Sequence, residues 1–124
     1  MILTDSNVFI DYWKNPTAEM KDIFLHNEIA VCGIIKTELL RGCNSQEQFE
    51  QITNALECFG YCNIEENDWP KIAQLFIKLR QNGVTVPFQD GVIAFLAIKN
   101  KFKLWTNDKH FKLIQVIEPE LQML

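Results

Sequence analysis

Short apolar runs alternate with stretches of helical periodicity along this chain, and this alternation restricts its fold more than any other feature. The largely apolar runs at residues 2–5, 29–32 and 103–106 have the length and composition of buried strands. Between them, apolar residues recur at intervals of three and four positions, which is the period of an amphipathic helix. Strands joined through helices favour parallel pairing, because a parallel pair needs a long crossover connection. We therefore predict an α/β fold, a three-layer α/β/α sandwich with a mostly parallel central sheet.

The remaining elements are predicted from the same patterns. Helices are expected from residue 6 or 7 to residue 13, over residues 17–26, 34–41, 46–58 and 89–100, and from a cap at 67–68 to a stop at residue 83. A short strand is expected at residues 61–64, and a strand or an extended loop at 84–86. A turn or short helix through residue 111 then leads to a final strand at 115–117.

Length and apolar content predict one domain, residues 1–124, with enough material for a core. Hydrophobic residues make up 48% of the chain, which excludes intrinsic disorder. The longest uninterrupted apolar run, residues 91–98, is far shorter than the roughly 20 residues that cross a bilayer. Because only Ile2 and Leu3 precede Thr4, we expect no signal peptide, no membrane association and a cytoplasmic protein.

The four cysteines are expected to be buried, reduced thiols; they are Cys32, Cys43, Cys58 and Cys62. A core of this size does not depend on disulfides. A zinc site that starts from Cys58 and Cys62 would need a second ligand pair, and neither His26 nor His110 belongs to one.

Charge is distributed unevenly along the chain. The net charge of −4 has the wrong sign for a protein that holds nucleic acid by overall electrostatic attraction. Residues 43–68 contain six acids and no lysine or arginine, whereas residues 99–112 contain five lysines and one acid. Such a distribution is either an ordinary solvated surface or a basic edge that meets phosphates.

Four acidic side chains stand at positions that need an explanation. Asp5 closes the first predicted strand, and Asp108 follows the strand at 103–106 by two residues, so both belong to the carboxyl edge of the sheet, where ligands bind in such folds. Asp90 begins an apolar helix, and Glu38 lies among apolar neighbours on another. An ionised carboxylate that is buried without a partner is costly.

A divalent cation would compensate several of these acids at once. Mg²⁺ and Mn²⁺ prefer oxygen ligands, and they promote hydrolysis of phosphodiesters. Each acid also has a structural explanation: Asp5 and Asp108 as caps, Asp90 as a first-turn acid, and Glu38 in a pair with Arg41.

Four blocks of sequence resemble the PIN-domain family, and more narrowly the VapC-type toxin ribonucleases of toxin–antitoxin pairs. The blocks are residues 4–11 (TDSNVFID), 37–42 (TELLRG), 89–94 (QDGVIA) and 105–111 (WTNDKHF). They occur in the order of the family, and their spacing covers essentially the whole chain. Together they are specific, whereas any one of them alone would be weak.

The resemblance implies a single-strand-specific endoribonuclease that depends on Mg²⁺ or Mn²⁺. Its implied catalytic and metal-binding acids are Asp5, Glu38, Asp90 and Asp108. Asn7 and Thr106 match positions that support these acids by hydrogen bonds. The resemblance also implies a homodimer and a small antitoxin protein whose tail enters the active-site groove.

The chain departs from the family pattern at two positions. His110 stands where the family often has a second aspartate in its last block, so the role of the fourth acid rests on Asp108. Gly91 stands where a residue slightly larger than glycine, such as alanine, is more usual, and this should loosen the start of the helix slightly.

Basic residues near the acids in sequence are candidate contacts to the phosphates of RNA. They are Lys14, Arg41, Lys101 and Lys109, with Lys36 beside them. Simple solvation of these side chains is the alternative.

Three other functions are weighed against a ribonuclease. A phosphohydrolase of the haloacid-dehalogenase type needs an aspartate two residues after the first one, and this chain has Asn7 there. A receiver-like signalling domain needs a neighbouring acidic pair, but Ser6 follows Asp5. A PIN-like module that binds RNA or protein without turnover remains open, because catalysis depends on fine placement of the acids.

Overall fold

Five parallel strands form one central sheet. The computed structural model describes residues 1–124. Its strands are β1 Ile2–Thr4, β2 Ile29–Cys32, β3 Gly60–Cys62, β4 Lys103–Trp105 and β5 Gln122–Met123. They are arranged in the order β3-β2-β1-β4-β5, and every neighbouring pair is parallel. In the middle of the sheet, Leu3 of β1 lies opposite Ala30 on one side and Leu104 on the other.

Seven helices connect and cover the strands. They are α1 Ser6–Lys14, α2 Ala18–His26, α3 Gly33–Leu40, α4 Gln46–Leu56, α5 Asp68–Gln81, α6 Phe88–Asn100 and α7 His110–Ile117. Helix α3 packs against α1 and α4, and α5, α6 and α7 pack against one another. Side-chain caps fix two of the starts: Thr17 accepts from the Met20 amide, and Ser45 from the Gln48 amide. The predicted α/β sandwich with a parallel sheet is confirmed.

The prediction of a final strand at residues 115–117 is wrong. These residues belong to α7, and the last strand, β5, follows at Gln122–Met123. Phe111 and Ile114 are fully buried while Leu113 and Val116 are exposed, which is a helical pattern. A short apolar run does not distinguish a buried helix from a strand. Residues 84–86 form an extended loop, one of the two alternatives expected, and β3 begins one residue earlier and ends two residues earlier than predicted.

The core lies on both faces of the sheet, and α6 is its most buried helix. Val92, Ile93, Ala94 and Leu96 are all inaccessible to solvent. No helix of the chain combines the length and the apolar character needed to cross a membrane.

Two of the four cysteines match the expected burial. Cys32 and Cys62 are buried in the sheet, and burial raises the pKa of the Cys62 thiol to about 11, which keeps it protonated. Cys43 is half-buried, and Cys58 is exposed, so the expectation of burial is wrong for Cys58. Its position after the last turn of α4 places it outside the core.

Gly91 leaves room for an aromatic ring at the start of α6. A Cβ atom at residue 91 would collide with the ring of Phe76 from α5. That ring stacks on Phe88, with the two ring centroids 5.6 Å apart and the planes 5° from parallel. Residue 91 is therefore glycine because a neighbouring side chain occupies the space that an alanine methyl group would take.

Candidate active site

The four acids come from four elements that meet at the carboxyl edge of the sheet. Asp5 directly follows β1 and Asp108 lies just beyond β4, the neighbour of β1. Glu38 is in α3, which begins where β2 ends, and Asp90 is in the first turn of α6. The carboxyl edge, predicted from the strand ends for Asp5 and Asp108, is therefore where the structure places all four acids.

Hydrogen bonds fix the carboxylate of Asp5. The Ser6 amide donates to Asp5 Oδ1 at 2.8 Å, which makes Asp5 the N-cap of α1. The Thr106 hydroxyl donates to Asp5 Oδ2 at 2.7 Å, and the Asn7 amide group donates to the same oxygen at 3.3 Å. The Asp108 amide in turn donates to Thr106 Oγ1 at 3.0 Å. Asn7 and Thr106 thus connect the first acid to the loop that carries the fourth.

Asn107 adds two contacts that the sequence did not indicate. Its backbone amide donates to Asn7 Oδ1 at 3.1 Å, and its side chain donates to Asp11 Oδ2 at 2.7 Å. Asp11 belongs to the first motif block, but no role follows from that block alone. These bonds hold the loop after β4 against α1, and so they fix the position of Asp108.

Asp90, Asp108 and His110 form a compact group of possible metal ligands. One nitrogen or oxygen atom from each of the three lies within 4.8 Å of the other two. His110 Nδ1 is 3.3 Å from Asp90 Oδ2 and 2.9 Å from Asp108 Oδ1. Sequence reasoning identified His110 only as a departure from a family pattern. Its spacing of two residues from Asp108, just after a strand, is the feature that indicates its place beside the acids.

Burial and mutual repulsion disfavour ionisation of Asp90 and Asp5. Burial raises the pKa of Asp90 to about 6, repulsion from Asp108 and Asp5 adds to this, and the nearby His110 opposes it. Burial also raises the pKa of Asp5, although the hydrogen bonds from Thr106 and Ser6 lower it. The site therefore concentrates negative charge that the protein itself compensates only in part.

Glu38 faces the same conflict. Burial raises its pKa, with a further increase from the charge of Asp5, while Arg41 opposes the shift. No ion pair forms between Glu38 and Arg41, so the structural explanation proposed for this acid is not realised. Both side chains instead line a cavity of about 310 Å³ together with Thr37 and Gln89.

Two carboxylate oxygens of the site have no hydrogen-bond partner. Glu38 Oε1 and Asp90 Oδ2 are the buried side-chain polar atoms of the protein that lack one. The nearby His110 Nδ1 lies 3.3 Å from Asp90 Oδ2 but lacks hydrogen-bond geometry to it. Buried polar atoms are almost always satisfied, so each exception needs an explanation. Oxygens left free beside several acids fit a divalent cation, which needs such ligands.

The structure separates the predicted basic contacts into two groups. Lys14 and Arg41 each line a cavity that Glu38 also lines, and Lys109 is the residue after Asp108. Lys101 follows the end of α6 and precedes β4, so it lies at the amino edge of the sheet. Since α6 spans Phe88–Asn100, about 20 Å of helix separates Lys101 from the end that carries Asp90. Proximity in sequence to Asp108 therefore does not bring Lys101 close to the acids, and its contact with RNA stays a prediction.

Lys99, another residue of the basic stretch, is occupied by an ion pair. Its Nζ atom lies 2.8 Å from Asp68 Oδ2 and 3.6 Å from Glu65 Oε1. Asp68 is 2% exposed and also accepts a hydrogen bond from the Glu65 amide at 2.9 Å. The bond from Lys99 lowers the pKa of Asp68. This lysine joins α5 to α6 and does not face the acids of the site.

Comparisons with known proteins agree in fold and family. The PIN domain family model matches residues 2–116. The chain is 34% identical to "Ribonuclease VapC1" from Methanocaldococcus jannaschii over 113 residues, which are 90% of this chain and 79% of that protein.

Two solved structures share the fold over most of their length. One is VapBC2 from Rickettsia felis, in a crystal structure bound to a DNA fragment from the VapBC2 promoter. The match covers 100% of this chain and 98% of the matched chain, with a TM-score of 0.81 and 25% identity. A toxin-antitoxin complex from Klebsiella pneumoniae matches 90% of each chain, with a TM-score of 0.70 and 25% identity.

Proposed function

The chain belongs to the PIN domain family, and we propose that it is a metal-dependent endoribonuclease that acts as the toxin of a toxin–antitoxin pair. The observation that carries the proposal is the pair of buried, unpartnered oxygens on Glu38 and Asp90. Burial, and secondly repulsion from neighbouring acids, raises the pKa values of Glu38 and Asp90. The name of the M. jannaschii relative, a ribonuclease, supports the choice of RNA as the substrate.

The proposed metal ligands and catalytic residues are Asp5, Glu38, Asp90 and Asp108. Asp5 and Asp90 are the principal ligands, Glu38 binds directly or through a water molecule, and Asp108 completes the site or orients the attacking water. An Mg²⁺ or Mn²⁺ ion held by these residues would supply a water molecule of lowered pKa and would neutralise charge on the scissile phosphate.

The protein's own contribution is to hold these groups in place before RNA arrives. Thr106 and Ser6 fix the two oxygens of Asp5 in different directions, and Asn7 adds a weaker bond. Asn107 holds the loop of Asp108 against α1. Such preorganisation matters because small displacements of catalytic groups cost large factors in rate.

Lys14, Arg41 and Lys109 are proposed to contact the phosphates of the RNA. All three are exposed, and they lie beside acids of the site. A local basic rim of this kind allows RNA binding by a chain whose net charge is −4.

The proposed protein partners are a small antitoxin and a second copy of this chain, in the cytoplasm. The toxin-antitoxin complex from K. pneumoniae supports the antitoxin. Light scattering of the purified chain, alone and after co-expression with a candidate antitoxin, measures both assemblies.

The test is cleavage of labelled single-stranded RNA by the purified protein with Mg²⁺ or Mn²⁺. We expect cutting that EDTA abolishes and that Asp5→Asn abolishes while the far-ultraviolet spectrum is unchanged, because the substitution removes charge with little change of shape. Full activity in EDTA or in the variant would refute the proposal. A folded protein that binds metal but cuts nothing in a panel of structured cellular RNAs would instead be a binding module.

A further inference from the structure

A histidine nitrogen lies among the acids of the proposed metal site. His110 Nδ1 is 2.9 Å from Asp108 Oδ1 and 3.3 Å from Asp90 Oδ2. Ligand atoms about 2.1 Å from one octahedral ion stand about 3 Å apart when they are adjacent. The two measured separations therefore have the length expected between neighbouring ligands of a single ion.

We propose that His110 Nδ1 is a metal ligand together with Asp90 and Asp108, an inference that rests on the metal site of the proposed function. This nitrogen makes the site prefer Mn²⁺ to Mg²⁺. Mg²⁺ is bound by oxygen and gives up its water reluctantly. Imidazole suits first-row transition ions better. The ion that this site is proposed to bind is thus a divalent transition-metal ion.

An unpartnered oxygen within the three-residue group also supports this assignment. Asp90 is 6% exposed, and its Oδ2 atom faces His110 without forming a hydrogen bond. An ion between the two atoms would satisfy both.

The backbone also holds His110 at this place. The His110 amide donates to Asp108 Oδ1 at 2.9 Å, and the Asp108 amide donates to Thr106 Oγ1 at 3.0 Å. Thr106 is bonded to Asp5. The backbone that carries His110 is therefore part of the same hydrogen-bonded loop as the acids, and this places the imidazole within reach of Asp90 and Asp108.

Pulsed electron paramagnetic resonance of bound Mn²⁺ tests the nitrogen ligand directly. We expect a ¹⁴N modulation in the wild-type protein that disappears in His110→Gln and also when the histidines carry ¹⁵N. His26→Gln is the matched control, because His26 Nδ1 also lies beside a carboxylate, 2.9 Å from Asp22 Oδ1, but on an exposed helix. Absence of the modulation in the wild type, or its persistence in His110→Gln, would overturn the inference.

Calorimetric titration with each ion tests the preference. The wild-type protein is expected to bind Mn²⁺ at least about tenfold more tightly than Mg²⁺, and His110→Asp to reduce that ratio to about threefold or less. An unchanged ratio in a variant that unfolds at the wild-type temperature in EDTA would refute the preference.

The two proposals fail in different ways. Metal-dependent RNA cleavage without a nitrogen signal would leave the nuclease intact and overturn the ligand. A nitrogen signal without cleavage of any RNA would support His110 as a metal ligand and refute the nuclease.

Discussion

The two ends of helix α6 each meet a buried aspartate, and the protein treats the two aspartates in opposite ways. At the carboxyl end, Lys99 binds Asp68 at 2.8 Å, the Glu65 amide donates a second bond, and the pKa of Asp68 is lowered. At the amino end, one oxygen of Asp90 has no hydrogen-bond partner, and burial raises the pKa of Asp90 to about 6.

Burial alone therefore does not reveal what an acid does. Asp68 and Asp90 are 2% and 6% exposed, and both lie in the first turn of a helix. They differ in whether the chain supplies a cation. An acid with a built-in partner joins two helices, whereas an acid without one costs stability until a ligand arrives.

The largest expected contrast is in catalysis. Asp90→Asn should lower RNA cleavage by about a thousandfold or more, since it removes a charged ligand of the metal. Asp68→Asn should leave cleavage within about threefold of wild type at a temperature where both variants are folded. Single-turnover rates with saturating Mn²⁺ measure the difference. Equal losses in the two variants would mean that the ends of α6 do not differ in function.

Stability should change in opposite directions in the same two variants. In EDTA at pH 7, Asp90→Asn is expected to stabilise the protein by about 1–3 kcal/mol, because it removes a buried charge whose pKa is about two units above normal. Asp68→Asn should lower the melting temperature by several degrees, because Lys99 loses its partner. Denaturant unfolding checks both signs. A loss of stability in Asp90→Asn would show that its charge is already compensated.

The pH dependence of stability should also distinguish the two acids. Asp90 binds a proton more tightly in the folded state, so its contribution reduces the unfolding free energy as the pH rises from about 4 to about 6. Asp5 and Glu38 shift in the same direction. The lowered pKa of Asp68 stabilises the fold above about pH 4, and this stabilisation is lost below it.

Unfolding in EDTA at a series of pH values measures these contributions. Asp90→Asn should flatten the profile between pH 4 and 6 and leave the loss of stability at lower pH. A profile identical to that of the wild type would contradict the raised pKa of Asp90.

The smallest expected contrast concerns RNA binding by two lysines. Lys109→Gln, beside the site, should weaken binding about two- to fivefold and reduce the salt slope by about 0.7. Lys101→Gln, beyond the other end of α6, should change neither. Fluorescence anisotropy at several salt concentrations measures both quantities. Equal effects would mean that RNA follows the whole basic stretch.

Local patterns in the sequence predict most of the fold and the individual acids. The apolar runs identify β1, β2 and β4, and the strand ends place Asp5 and Asp108 at one edge. The two-residue strand β5 escapes prediction because it carries too little pattern, and the apolar run before it belongs to α7.

Contacts between distant segments could not be predicted in this way. Asp68 and Lys99 are 31 positions apart, and no local pattern relates them. Lys101 and Lys109 are close in sequence, yet β4 carries the chain from one edge of the sheet to the other between them. Proximity in sequence therefore does not place Lys101 near Asp108. The place of His110 likewise depends on the packing of α6 against α7.

The ring of Phe76 in the space beside Gly91 restricts the order in which this protein can evolve. Alanine at residue 91 would improve the intrinsic helix propensity of α6 by about 1 kcal/mol. A lineage that retains Phe76 can take that step only if the ring moves aside, because the ring occupies the place of the methyl group. A smaller residue at position 76 removes that requirement. A position on α5 that supplies none of the acids of the site thus affects which mutations are tolerated next to Asp90.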